Sequence, residues 1–112
     1  ITQYKPDLLL VSVGFDAHEE DLLGGMAVSD DGYRVLSRKT RQVAEQACGG
    51  KRVGLLEGGY GVEALGRGVV NLLDEWLADE LGDVEQIAPS DHPQIGKHLD
   101  EIKRGLDSHW SF

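Results

Sequence analysis

The sequence has little cysteine, few basic residues and no long apolar run. Its single cysteine, Cys48, excludes an internal disulfide framework and favours a reducing compartment, the cytoplasm. Lysine and arginine number 11 against 20 aspartates and glutamates, and the net charge of −9 argues against a nucleic-acid partner. No segment approaches the ~20 apolar residues of a transmembrane helix, and the first residues lack a signal-peptide pattern, so no membrane partner is expected.

Glycine is the residue in excess, at 15 of 112 residues, against a usual share of ~7%. The length fits one domain with one hydrophobic core. The chain starts at Ile1, without an initiator methionine, and reaches a strand-like segment almost at once. We therefore expect it to be a piece of a larger protein.

Two short apolar runs predict strands, and helical spacing of apolar residues predicts three helices. Residues 7–13 and 51–57 are too short for buried helices and are typical of parallel strands buried on both faces. The predicted helices run from the N-cap Ser29 to Gly49, from Val62 to near Gly82, and from Ser90 or Asp91 onward. The predicted fold class is α/β, a parallel βαβα unit with a carboxyl-terminal helix.

The βαβ order implies a parallel strand pair joined by a right-handed crossover. In such sheets the ligand site lies beyond the carboxyl ends of the strands. Both glycine-rich segments, residues 14–25 and 58–61, directly follow a strand. We therefore expect the functional residues there, in a domain that covers residues 1–82, with residues 83–112 as a variable helical extension.

Asp16 and His18 lie in the first glycine-rich segment. A carboxylate after a strand can bind a metal, accept a proton or cap a backbone turn, and the turn is the commonest of these roles. The Asp-x-His spacing could supply two ligands to one zinc or iron ion, although a tetrahedral zinc site needs more ligands than the chain readily offers. The neighbouring charges of Glu19 and Glu20 fit a solvated face.

The second segment is Gly58-Gly59-Tyr60-Gly61. Glycines at the end of a strand let the backbone approach a ligand closely, and a tyrosine hydroxyl between them can donate a hydrogen bond to a developing oxyanion. A tight turn with a surface tyrosine is the alternative. Neither a Gly-Lys-Ser/Thr sequence nor a G-x-G-x-x-G pattern accompanies the glycines, which argues against a nucleotide site.

Two longer segments together resemble signatures of the zinc-dependent histone deacetylase superfamily, which includes acetylpolyamine amidohydrolases and acetoin-utilisation proteins. They are PDLLLVSVGFDAHEEDLLGG, residues 6–25, and VGLLEGGYG, residues 53–61. They occur in the family's order, with an SDDGYRVL helix between them, and the resemblance extends over about residues 6–80. It implies an arginase/deacetylase-like open sheet with more strands than this chain holds.

The resemblance implies a role for five residues. Asp16 matches a zinc ligand, and Tyr60 matches the catalytic tyrosine whose hydroxyl bonds the substrate carbonyl. Gly58 and Gly59 match glycines that line the channel for the acetyl group, and Leu23 matches a residue at its rim. The implied cofactor is zinc, and the implied reaction is the hydrolysis of acetylated lysine or polyamine-type amines.

This sequence also departs from the family's pattern. His18 matches no zinc ligand of the family, and Leu22 stands where proline is common. The other two zinc ligands and a histidine pair lie upstream in the family and do not occur in residues 1–112. We therefore expect a fragment that is inactive alone and whose bare strand edge pairs with a missing amino-terminal portion or with a second copy. A stand-alone binding or assembly module and a fragment that regains activity with a separate amino-terminal piece remain as alternatives.

Overall fold

The computed structural model describes residues 1–82 and 93–111. Strands β1 (Leu9–Val13) and β2 (Arg52–Leu56) form a parallel two-stranded sheet. The helices are α1 (Asp30–Cys48), α2 (Val62–Leu77) and α3 (Pro93–Leu106). The predicted parallel βαβα unit followed by a helix is confirmed, although α2 ends at Leu77 and not near Gly82. The predicted start of α3 at Ser90 or Asp91 lies outside the described residues.

Both predicted ends of α1 are confirmed. The Ser29 hydroxyl accepts a hydrogen bond from the Gly32 N–H at 3.2 Å and so satisfies one of the free donors of the first turn. At the other end Gly49 adopts the left-handed conformation with φ 61° and donates its N–H to the Ala44 carbonyl. These caps fix where the crossover between β1 and β2 begins and ends.

Helices α1 and α2 pack on each other through polar as well as apolar side chains. The Trp76 indole donates to the Ser37 carbonyl at 3.1 Å and to the Thr40 hydroxyl at 3.0 Å. Arg38 donates two hydrogen bonds to the Glu75 carboxylate, at 2.8 and 2.7 Å, and this pairing lowers the pKa of Glu75. The interface therefore depends on directional contacts that hydrophobic spacing does not reveal.

The face of α1 predicted from apolar spacing needs a correction. Helical spacing predicts a semi-apolar face made of Tyr33, Leu36, Thr40, Val43, Ala44 and Ala47. In the structure Leu36 is 51% exposed. The buried residues of α1 are Tyr33, Ser37, Arg41, Ala44 and Cys48. Ser37 is tolerated there because its hydroxyl donates to the Tyr33 carbonyl, and Arg41 because it pairs with Glu45 and with carbonyls beyond α1.

The sheet is covered by helices on one face. On that face a Cβ added to Gly54 would lie 3.3 Å from the Trp76 ring of α2. On the other face Leu10 and Leu55 are 63% and 58% exposed. The prediction of strands buried on both faces is therefore wrong for the part of the chain that the structure describes, because none of it forms a second covering layer.

The two ends of the described chain lie together. The rings of Tyr4 and Trp110 are 6.4 Å apart between centroids, and the Ser111 N–H donates to the Gln3 side-chain oxygen at 3.0 Å. This contact places the segment after α3 beside the residues that precede β1. Among the helices described, none has the length and apolar character required to cross a membrane.

Candidate active site at the carboxyl ends of the strands

Two loops meet where the strands end: the Asp16 loop, residues 14–28, and the Tyr60 loop, residues 57–61. The Glu57 N–H donates to the Val13 carbonyl at 2.9 Å, and the Phe15 N–H donates to the Gly58 carbonyl at 3.2 Å. The hydrogen-bond ladder of the sheet therefore continues into both loops. As a result, Asp16 and Tyr60 lie at the same end of the sheet.

Phe15 anchors the Asp16 loop in the core. Its side chain is 2% exposed, and its ring centroid lies 5.0 Å from that of Tyr33 on α1. The ring also packs against the backbone of α2, where a Cβ added to Gly68 would lie 2.5 Å from Phe15 Cε1. The residue immediately before Asp16 is thus held by α1 and α2 together.

The Asp16 carboxylate points into an exposed space bordered by glycines. A Cβ added to Gly14 or Gly58 would lie 3.3 or 3.1 Å from a carboxylate oxygen of Asp16. Gly58 has φ 71°, a conformation that side chains other than glycine rarely adopt. No hydrogen bond to the Asp16 carboxylate forms within the described residues, so its oxygens are free to accept a ligand.

A metal ion would find one carboxylate here and few other donors. Across residues 1–82 and 93–111, no group of three or more His, Cys, Asp or Glu side chains is arranged to hold a metal. Asp16 therefore offers one carboxylate to a metal, where a tetrahedral zinc site needs three or four ligands.

His18 does not join Asp16, so the interpretation of Asp-x-His as a pair of metal ligands is wrong for His18. Its ring is 1% exposed and stacks on Tyr33 with centroids 5.9 Å apart. Nδ1 accepts the Glu20 N–H at 3.0 Å, and Nε2 lies 3.4 Å from a carboxylate oxygen of Asp30. His18 therefore supports the loop from within the core.

Glu20, interpreted from the sequence as part of a solvated face, takes part in an ion-pair group. Arg67 on α2 pairs with Glu20 at 2.7 Å and with Asp30 at 3.0 Å, and these hydrogen bonds raise the pKa of Arg67. The side chains are about half exposed, so the pairs contribute little to stability singly. Their effect is to connect the Asp16 loop to both helices.

Tyr60 presents its side chain to solvent at the same end of the sheet. The side chain is 55% exposed and forms no hydrogen bond or ring contact with the described residues. Gly59 before it has φ 114°, and a Cβ there would lie 3.1 Å from Phe15 Cβ. Leu23 is also exposed, at 72%, so the side chains of Tyr60 and Leu23 both face solvent.

Asp21 joins the two loops and was not identified as a functional residue from the sequence. One carboxylate oxygen accepts the N–H groups of Leu23 and Gly24, both at 2.8 Å, and the other accepts those of Tyr60 and Gly61, at 2.6 and 3.2 Å. These bonds, that from Tyr60 foremost, lower the pKa of Asp21 to about 2. The sequence does carry a signal for the bonds within the Asp16 loop, because an aspartate three residues before a glycine is typical of a turn that the aspartate side chain caps.

Comparison with known proteins supplies the family. The model of the histone deacetylase domain matches residues 1–76. This chain belongs to the histone deacetylase family. The candidate site therefore lies in the region that carries the family match, and α3 lies beyond it.

Two relatives named as deacetylases resemble this chain over part of their length. This chain is 39% identical over 77 residues to the chloroplastic histone deacetylase 10 of rice (Oryza sativa subsp. japonica). The matched region is 69% of this chain and 17% of the rice protein. It is 36% identical over 63 residues to a probable deacetylase of Archaeoglobus fulgidus. That matched region is 56% of this chain and 18% of the archaeal protein.

A solved structure extends the likeness to the fold. The crystal structure of the HDA15 HD domain superposes on this chain with a TM-score of 0.69 at 26% identity, covering 96% of this chain and 29% of that structure. The chain thus spans less than a fifth of the two curated relatives and less than a third of the solved domain.

Proposed function

We propose that this chain contributes Asp16 and Tyr60 to the active site of a zinc-dependent deacetylase. Its substrates would be acetylated lysine or polyamine-type amines, and its products acetate and the free amine. The observation that carries the proposal is the backbone hydrogen bond from Phe15 to Gly58, which brings the two loops together beyond the ends of the strands. The net charge of −9 also suits substrates that bear positive charge.

Asp16 would hold the zinc ion through its exposed carboxylate. The fit rests on the space bordered by Gly14 and Gly58, which a side chain at either glycine would narrow. When bound, zinc polarises the amide carbonyl and makes a water molecule a stronger nucleophile at neutral pH. We propose that the remaining ligands are supplied by an amino-terminal portion of the domain.

Tyr60 would act on the substrate carbonyl. Its hydroxyl donates a hydrogen bond to the oxygen on which negative charge develops as the amide is attacked, and this stabilises the transition state. Gly58 and Gly59 would line the channel for the acetyl group because they add no side chain there. Leu23, exposed on the neighbouring loop, would form part of the channel rim.

The same proposal accounts for the uncovered face of the sheet. In an arginase/deacetylase-like open sheet, further strands would pair with the free edges of β1 and β2, and a second layer would cover Leu10 and Leu55. We propose that the amino-terminal portion of the deacetylase domain supplies both. Without that portion the chain would be inactive and would associate with copies of itself through the strand edges. The free, buried Cys48 is compatible with the cytoplasm as its compartment.

The test is reconstitution. The 112-residue chain is co-expressed with the part of the rice relative that precedes its match to this chain, and the purified pair is called the assembled complex. Zinc per complex is measured by mass spectrometry of metals, and acetate release is measured with an acetyl-lysine peptide and with an acetylated polyamine. Each partner alone serves as the background.

Two substitutions test whether zinc binding depends on Asp16 itself or on negative charge in general. Asp16→Asn should remove zinc from the assembled complex, whereas Asp7→Asn, at an exposed aspartate before β1, should retain it. Acetate release no faster than the background of the separate partners, or equal zinc in both variants, would refute the proposed function.

A further inference from the structure

The Asp21 carboxylate holds the backbone of both loops of the site. Oδ1 accepts the N–H groups of Leu23 and Gly24 within its own loop. Oδ2 accepts the N–H groups of Tyr60 and Gly61 from the loop that follows β2. Because each oxygen serves a different loop, one side chain sets the distance between them.

The orientation of the Tyr60 side chain depends on how its backbone is held. Within the described chain its side chain makes no polar or ring contact that would orient the hydroxyl. The two residues before it, Gly58 and Gly59, have φ values of 71° and 114° and lack side chains that would limit their rotation. The position of the Tyr60 ring is therefore determined mainly by where its own backbone is held.

We propose that Asp21 is a positioning residue that fixes Tyr60 relative to Asp16 by tying the Tyr60 loop to the Asp16 loop. The inference rests on the proposed function, since it assigns Asp21 a role in the reaction of Tyr60. Asp21 acts through the backbone and touches no reacting atom. A displacement of ~1 Å in a catalytic group costs up to about 100-fold in rate, so loosening this tie is expected to be measurable.

The structural half of the proposal is tested on the 112-residue chain itself by amide hydrogen exchange. Tyr60 and Gly61 amides should exchange at least ~10-fold more slowly than that of Glu63, whose N–H lies in the first turn of α2 without an intrahelical partner. Asp21→Asn keeps the shape of the side chain but replaces one acceptor oxygen with a donor. Either the amides of Tyr60 and Gly61 or those of Leu23 and Gly24 should therefore lose their protection from exchange. Glu19→Gln, an exposed neighbour with the same charge change, should preserve it.

The functional half is tested in the assembled complex. Asp21→Asn should lower kcat by about 10-fold to 100-fold with KM and zinc content unchanged, because the substitution moves Tyr60 and leaves Asp16 in place. Glu19→Gln should have the parental kcat. In a Tyr60→Phe background, Asp21→Asn should cause no further loss, since the hydroxyl that it positions is absent.

The outcomes separate this inference from the proposed function. If Tyr60→Phe leaves kcat unchanged, the proposed function fails, whatever Asp21 does. If Tyr60→Phe lowers kcat but Asp21→Asn behaves as Glu19→Gln, or lowers kcat by the same factor with and without the Tyr60 hydroxyl, the positioning role is overturned. Amides of Tyr60 and Gly61 that exchange as fast as that of Glu63 in the unmutated chain would overturn it without any variant.

Discussion

Gly66 and Gly68 lie two residues apart in α2 and differ in what a methyl group would meet. A Cβ added to Gly66 has no heavy atom within 4 Å outside its own helix turn. A Cβ added to Gly68 would lie 2.5 Å from Phe15 Cε1 and 3.1 Å from Phe15 Cγ. Alanine at Gly66 therefore projects into open space, whereas alanine at Gly68 must displace the aromatic ring that precedes Asp16.

The two substitutions share their effect on helix propensity. Replacing glycine by alanine inside a helix stabilises it by about 0.5–1 kcal/mol, because glycine loses more backbone entropy on folding. At Gly68 this gain is opposed by overpacking, which typically costs about 1–3 kcal/mol. The Phe15 ring has little room to move, since it is 2% exposed and packs on Tyr33. We expect Gly66→Ala to stabilise the chain and Gly68→Ala to be less stable than Gly66→Ala by about 1–3 kcal/mol.

The assay is urea unfolding of the 112-residue chain, followed by far-ultraviolet circular dichroism. The free energy of unfolding is taken from the midpoint and slope, and equal slopes among the variants show that the comparison is valid. If Gly68→Ala stabilises the chain as much as Gly66→Ala does, the packing of Phe15 against α2 described above is incorrect.

Three further outcomes are expected. Ser29→Ala should lower the unfolding free energy by about 1 kcal/mol in the same urea assay, because the N-cap acceptor of α1 is lost, and an unchanged midpoint would contradict this. Arg38→Lys should also lower it, by about 1 kcal/mol, because lysine does not reproduce the paired hydrogen bonds to Glu75; equal stability would indicate that the pair contributes nothing. Asp21 has a pKa lowered from 3.8 to about 2, so the ionised carboxylate contributes to the stability of the folded chain above pH 3.8, and this contribution is lost as the pH falls toward 2. The amide signals of Tyr60 and Gly61 should therefore be constant at neutral pH and move only in this acid range, and movement near pH 5 would contradict the assignment.

Much of the fold follows from local patterns in the sequence. The strand-length apolar runs, the Ser29 cap and the Gly49 stop each act over a few residues, and the structure has them where the sequence predicts. Each glycine-rich loop follows a strand, and the two loops lie together because parallel strands end at one edge of the sheet. These features needed no knowledge of tertiary contacts.

The departures arise where tertiary contacts decide. Ser37 is buried in α1 because its hydroxyl donates to the Tyr33 carbonyl of the same helix. Arg41 is buried because it pairs with Glu45 of α1 and donates to the Glu75 carbonyl of α2. The periodicity of apolar residues does not reveal such pairs. The apolar character of β1 predicted burial on both faces, yet burial also requires a covering layer, which the described residues supply on one side only.

The candidate site shows the same division. The sequence singles out Asp16 and Tyr60 because each follows a strand within a glycine-rich segment. It does not distinguish His18, which turns into the core, from a ligand, because a one-residue spacing does not fix the direction of a side chain. The hydrogen bonds that Asp21 accepts from the N–H groups of Tyr60 and Gly61 join residues about 40 positions apart, so only the fold reveals them.

The most direct test of the central claim is the rate of acetate release by the assembled complex with Tyr60 and with Tyr60→Phe, compared at equal zinc content. We expect the variant to retain zinc through Asp16 and to lose about 100-fold to 1000-fold in kcat, the usual cost of removing one oxyanion donor. Equal rates in the two complexes would contradict the assignment of Tyr60, and with it the proposal that this chain carries part of a deacetylase active site.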